Sequence, residues 1–250
     1  MRVQTGEGVG IGGFIITGSA PKHILLRAIG PSLTQSGIPN VLADPVMQLH
    51  GPVGFVTVTN DNWRDDPAQQ AAIIATGIPP SNNLEAAIDT TLLPGAYTAI
   101  VSGKNNTSGV ALVEVYDLSP AVPAKLANIS TRAFVSTGTD IVIAGFILGG
   151  SSGQTEVIVR GLGAVGVGNP LADPTLELRD SNGALIGSDN DWQDDPATAT
   201  GLTSAGLAPP NPLDAAIMAH LPPGLYTALL AGRNSSTGIG LVEVYNLGTP

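Results

Sequence analysis

Apolar residues in this chain fall in short runs that alternate with polar ones. Ile24-Leu-Leu-Arg27, Phe55-Val-Thr-Val-Thr59, Tyr97-Thr-Ala-Ile-Val101 and residues 111–118 are each bounded by Gly, Pro or Asn. A period of two over four to eight positions puts apolar side chains on one face of a strand, and the bounding residues end it. The pattern therefore predicts an all-β chain of sandwich-length strands. Between residues 175–179 and 184–187, Asp180-Ser-Asn-Gly183 predicts a tight hairpin in which Asn-Gly supplies the positive φ values of a primed turn. Gly51-Pro-Val-Gly54 is a variant of the same turn. Residues 67–76 and 196–205 have the composition of short helices over one end of the sheets, and residues 84–92 and 213–221 admit the same reading.

The pattern occurs twice. An offset of 129 residues carries Ala86 onto Ala215 and keeps more than half of the following positions identical through Leu118 and Leu247. It also matches Asp44-Pro45 with Asp173-Pro174, Trp63 with Trp192, and Pro94-Gly95-Ala96-Tyr97-Thr98 with Pro223-Gly224-Leu225-Tyr226-Thr227. Each copy ends in Leu-Val-Glu-Val-Tyr. Upstream the offset drifts to 132, where Gly13-Phe14-Ile15 matches Gly145-Phe146-Ile147. The expected organisation is a first β-sandwich over residues 1–118, a Pro-containing linker over 119–125 and a second sandwich over 126–250, both antiparallel and Ig-like or jelly-roll-like. Met1 aligns with Ala133, so the stretch Leu126-Ala-Asn-Ile-Ser-Thr-Arg132 has no counterpart in copy one. Copy one is expected to lack its first strand and to present an open sheet edge to a strand from another chain.

Composition narrows the partners. Gly 32 and Pro 20 agree with many turns, and 43% hydrophobic residues are enough to build packed cores. A net charge of −10 repels nucleic acid. The absence of Cys excludes disulfides and thiolate chemistry. The longest apolar stretches, residues 9–16 and 141–148, are Gly-interrupted and too short for a membrane span, and no basic-then-apolar leader follows Met1.

One polar constellation recurs. Asn60-Asp61-Asn62-Trp63-Arg64-Asp65-Asp66 returns as Asp189-Asn190-Asp191-Trp192-Gln193-Asp194-Asp195. Calcium takes several carboxylate and amide oxygens from one flexible turn, so Asn60, Asp61, Asn62, Asp65, Asp66, Asp189, Asp191, Asp194 and Asp195 are candidate ligands, without EF-hand spacing. The competing expectation is that Asp66 and Asp195 cap helices starting at Pro67 and Pro196 while the others make turns. Trp63 and Trp192 are either exposed rings that stack on a sugar or partner surface, or lids on their own cores, and burial of indole area favours the second. Tyr97 and Tyr226 read as structural tyrosines. Asn105, Asn106, Asn128 and Asn234 begin glycosylation sequons, which chance and turn chemistry in a Ser/Thr-rich chain explain more simply than glycosylation does. His23, His50 and His220 occupy unmatched positions, and no nucleophile–base–orienter set can be named. The expectation is a protein without catalytic residues.

The run Asp173-Pro-Thr-Leu-Glu-Leu-Arg-Asp-Ser-Asn-Gly-Ala-Leu-Ile-Gly-Ser-Asp-Asn-Asp-Trp192, followed by Gly224-Leu-Tyr-Thr, resembles bacterial pre-peptidase C-terminal type β-sandwiches. It does so over the latter two-thirds of each copy. Ile15-Ile-Thr-Gly-Ser-Ala-Pro-Lys22 and Leu26-Arg-Ala-Ile-Gly-Pro-Ser-Leu33 are similar to repeats strung along large secreted bacterial proteins, although Gly161-Leu-Gly-Ala164 departs from the latter. The resemblance implies an exported, non-catalytic accessory or surface role with calcium in the acidic loop. Two functions follow as expectations. One is an extracellular structural or adhesive protein that self-associates head to tail by strand donation. The other is a calcium-dependent binder of glycans or cell-surface polymers.

Overall fold

A computed structural model describes residues 1–150 and 152–248 of the chain. The fold is all-β, and the chain divides into two compact units, Met1–Ala127 and Asn128–Pro250.

In the first unit the strands are β1 (Arg2–Val3), β2 (Gly10–Gly18), β3 (Lys22–Ile29), β4 (Pro45–His50), β5 (Val58–Asn60), β6 (Ala86–Leu92), β7 (Gly95–Gly103), β8 (Gly109–Val110) and β9 (Leu112–Asp117). Helix α1 (Pro67–Ala75) lies between β5 and β6. Antiparallel pairing orders one sheet β2-β7-β4-β5 and a second β6-β3-β9, with β1 on β8. The burial of β2 alternates along its length, and Phe14 and Ile16 are buried. Gly12 on β2 faces Val113 on β9: a Cβ on Gly12 would lie 3.0 Å from Val113 Cγ1, so the inner faces of the two sheets meet there.

The second unit repeats this arrangement. Its strands are β10 (Ala124–Val135, which begins in the first unit), β11 (Val142–Leu148), β12 (Thr155–Gly163), β13 (Pro174–Asp180), β14 (Leu185–Asp189), β15 (Ala215–Leu221), β16 (Gly224–Gly232) and β17 (Gly238–Gly248), with α2 (Pro196–Ser204) between β14 and β15. One sheet runs β11-β16-β13-β14 and the other β15-β12-β17-β10. The second unit therefore stacks four strands on four. Among the described residues, the smaller sheet of the first has three strands, with β9 paired on one side only.

Two expectations are corrected. Residues 84–92 and 213–221 contain strands β6 and β15 rather than helices. Their Ala-Ala-Ile starts tolerate a helix, but β6 pairs along its whole length with β3, and β15 with β12, and both bury their first three residues. Tertiary pairing here overrides local propensity. The hairpin at Asp180 is not a primed turn, because Gly183 (φ +80°) has positive φ and Asn182 does not. Asp180 Oδ1 accepts the N–H groups of Asn182 and Ala184, both at 2.8 Å, which stabilises an ordinary turn followed by a one-residue irregularity in the ladder. Residues 119–125, the expected linker, are hydrogen-bonded to the first unit. Ser119 accepts from Lys22 Nζ and from His23 N, Pro123 O accepts from Ser19 N, and Ala124 already belongs to β10.

Candidate functional site

The acidic loops divide their oxygens among separate tasks. Asp66 caps α1, accepting Ala68 N at 2.8 Å and Gln69 N at 3.0 Å, and Asp195 caps α2 through Ala197 N and Thr198 N. Hydrogen bonds from the Thr198 hydroxyl and backbone hold the Asp195 carboxyl below its usual value. Asn60 Oδ1 accepts Ala87 N, and Asp189 Oδ2 accepts Ala216 N, so this loop position ties each loop to its neighbouring strand. Burial raises the Asp189 pKa. Asn62 Nδ2 donates to Asp65 Oδ2 at 3.1 Å, and Asp65 and Asp194 are exposed.

What remains is an ion-paired cluster that involves residues from outside the loop. Lys104 Nζ lies 2.6 Å from Asp61 Oδ2 and 3.7 Å from Asp44 Oδ2; Arg233 Nη1 lies 3.3 Å from Asp191 Oδ2 and 4.0 Å from Asp173 Oδ2. The second carboxylates of these pairs, Asp44 and Asp173, and the cations Lys104 and Arg233 were absent from the sequence-predicted set. The signal for them was the duplication itself, since the 129 offset carries Asp44 to Asp173 and Lys104 to Arg233. Oδ1 of Asp44, Asp61, Asn62, Asp173 and Asp191 is buried without a hydrogen-bond partner. The nine predicted ligands do not act as one donor set, and among the described residues no three His, Cys, Asp or Glu side chains are placed to hold a metal ion. In each unit a basic side chain already balances the paired carboxylates.

The tryptophans are core lids. Trp63 is 1% exposed and packs with Leu25, Ile73 and Ala87; Trp192 is 8% exposed and packs with Ile158, Leu202 and Ala216. Their indole N–H groups donate to Asn82 O and Asn211 O. Arg64 covers the Trp63 ring at 4.3 Å. With so little ring surface exposed, both tryptophans serve their own cores, the alternative that burial of indole area favours. Tyr97 Oη donates to Leu93 O and Tyr226 Oη to Pro222 O, the structural role expected of them. Among the sequon residues, Asn105 and Asn234 have positive φ and serve turns, while Asn128 is buried and donates to Val244 O.

The two units differ most at one sheet edge. β17 has β12 on one side and β10 on the other, with pairs from Asn128↔Tyr245 to Val135↔Gly238. β9, its equivalent, has β3 as its only ladder partner among the described residues. Val242 and Val244 are 0% and 5% exposed, whereas Val113 and Val115 at the same places are only half-buried and Leu112 is 42% exposed. Beside this edge lies a cleft of about 280 Å³ bordered by Ile29, Ser32, Leu112 and Glu114. The charges of the cleft are satisfied: Arg27 donates to Glu114, to Ile78 O and to Tyr116 Oη. The same set recurs as Arg160, Glu243, Leu207 O and Tyr245. Paired in both units, these groups read as a structural brace between adjacent strands.

Comparison with known proteins finds no matching family model and no curated relative. The fold defines an all-β chain of two similar units, which differ in that β17 has two ladder partners and β9 one among the described residues.

Proposed function

We propose that this chain is a non-enzymatic extracellular structural or adhesive protein whose units join by strand addition, the first unit of one molecule taking a strand from the next to form a head-to-tail fibre. The observation that carries the reading is that, among the described residues, β9 has a single ladder partner where β17 has two. An open edge leaves backbone donors and acceptors that pair most favourably with another strand, and the half-buried Val113 and Val115 would gain the burial that Val242 and Val244 have. The likeness to pre-peptidase C-terminal type modules is in keeping with a secreted accessory role. Electron microscopy and light scattering of the purified chain over a concentration series test it. Concentration-dependent linear particles support the fibre, and a monodisperse monomer at all concentrations refutes it.

A second reading rests on the orphaned oxygens of Asp44, Asp61 and Asn62, matched by those of Asp173 and Asp191. These pairs would take a divalent cation such as calcium if Lys104 and Arg233 swung aside. A rise in melting temperature with calcium, reversed by chelator, supports this reading, and an unchanged melting temperature removes it.

A further inference from the structure

Aspartate is followed by proline at four places, Asp44-Pro45, Asp66-Pro67, Asp173-Pro174 and Asp195-Pro196. We propose that two of these peptide bonds, the one after Asp44 and the one after Asp173, are self-cleaving sites: under mildly acidic conditions the aspartate side chain breaks its own residue's bond to proline. The bonds after Asp66 and Asp195 are protected. The inference does not rest on the strand-addition reading.

The chemistry needs no partner but water. An oxygen of the aspartic acid attacks the carbonyl carbon of the same residue and closes a five-membered cyclic anhydride. The C–N bond to proline breaks, and the carboxyl proton moves to the proline nitrogen, which leaves as a secondary amine. Water then opens the anhydride, so that one water is consumed and the side-chain carboxyl, a new terminal carboxyl and the amine remain. Proline suits the step because its amide nitrogen is tertiary and departs as a basic secondary amine. Attack within one residue supplies the nucleophile at high effective concentration.

All four carbonyls accept a backbone N–H, which polarises the carbon: Asp44 O from Lys104 N at 2.9 Å, Asp173 O from Arg233 N at 2.8 Å, Asp66 O from Gln70 N at 2.8 Å and Asp195 O from Ala199 N at 2.9 Å. The carboxyl groups therefore decide. Asp66 Oδ1 accepts Ala68 N and Gln69 N, and both oxygens of Asp195 accept from the first turn of α2. These contacts tie each side chain to its helix and, at Asp195, hold the carboxyl below its usual value, so that it has no proton to give. Asp44 and Asp173 cap no helix. Their Oδ2 atoms face Lys104 and Arg233 at 3.7 and 4.0 Å, and their Oδ1 atoms are buried and receive no hydrogen bond. A buried oxygen with unused lone pairs calls for an explanation, and on the same residue as a pinned carbonyl it is the nucleophile this reaction requires.

At Asp44 the proton is also at hand. Burial and then the neighbouring Asp61 push its carboxyl above the usual value, with Lys104 opposing both, so the acid form persists to a higher pH than at an exposed aspartate. Lys104 stays an ammonium, its pKa raised first by the hydrogen bond to Asp61, and leaves the anhydride to water. Pro45 stands opposite Gly103 at the head of β4, and Pro174 opposite Gly232 at the head of β13. After a break at Asp44, β3 is still paired with β6 and β9, and β2 with β7, so the nicked unit holds together until it is denatured.

The test incubates the intact chain at pH 5 and at pH 8, denatures samples over several days and follows their fragment masses. At pH 5, cuts are expected after Asp44 and after Asp173, each adding the mass of one water, at least about ten-fold faster than any cut after Asp66 or Asp195. The rate should fall at pH 8. Asp44→Asn should abolish the first cut and leave the second, and Asp173→Asn the reverse. In urea the four sites lose their environments and should break alike. No cut in the folded chain, equal cutting at all four sites, cuts no faster than in urea, or a cut after residue 44 that survives Asp44→Asn would each overturn the inference.

Discussion

The Met1 amine donates to Ala111 O at 3.0 Å and Ala111 N donates to Met1 O at 2.9 Å, so the first residue of the chain is a full ladder partner at the head of β9. Beyond it, toward Asp117, the ladder on that side stops. In the other unit Ala133 stands opposite Gly240 in the same place, and pairing continues for five more residues to Asn128. This difference gives the first expectation. In the chain alone, the amides of Val113 and Val115 should exchange at least about ten-fold faster than those of Val242 and Val244, because opening an edge strand breaks fewer contacts. Residue-resolved hydrogen exchange checks this, and equal protection of the two pairs would show that β9 is covered.

The helix caps set the second expectation. Asp66→Ala and Asp195→Ala each remove a carboxylate that accepts two helix N–H groups; Asp66→Ala should cost about 1 kcal/mol of stability, and Asp195→Ala should lower stability in the same direction. Calcium should leave that loss unchanged, since these carboxylates serve α1 and α2. Denaturant unfolding with and without the ion is the measurement, and a calcium-dependent loss would return Asp66 and Asp195 to the ligand set.

Trp63 sets the third. Its ring is enclosed and its N–H is bonded to Asn82 O, so Trp63→Ala should cost about 3–5 kcal/mol, the range for a buried aromatic replaced by alanine. Emission from the intact chain should be that of buried indole and should not move when soluble glycans are added. A sugar-dependent shift would mean that a ring reaches solvent.

Much of this architecture is legible in the sequence because it is local. The period-two runs, the Asp-Pro helix starts and the Gly-x-Tyr-Thr strands each act over a few residues, and repetition doubled the signal. The failures came where distant partners decide the outcome. Ala86-Ala-Ile88 follows the helix reading until β3 pairs with it, and Asp180 spends its carboxylate on two turn N–H groups that Asn-Gly spacing does not reveal. The acidic loop looked like one ligand set because its residues are adjacent in sequence. In three dimensions their partners are Ala87, Lys104, Ala216 and Arg233, brought in from other strands and turns.

The Asp44–Asp61 pair gives the last expectation. The Asp44 carboxyl is pushed above its usual value, first by burial and then by the neighbouring Asp61, with Lys104 opposing both. A carboxyl whose pKa rises on folding binds its proton more readily in the folded state, so its ionised form costs stability at neutral pH. That cost is relieved as pH falls through the raised value toward the unfolded value of 3.8. Asp44→Asn keeps the shape and removes the charge. The variant should melt above the parent at pH 7 in chelator, and the gap should close as the pH approaches 4. If calcium occupies the pair, the order inverts when the ion is added, because the parent gains a ligand charge that the variant lacks. Melting curves at the two pH values, with calcium and with chelator, separate these cases. A variant that melts below the parent at pH 7 in chelator would show that the Lys104 bridge outweighs the carboxylate repulsion.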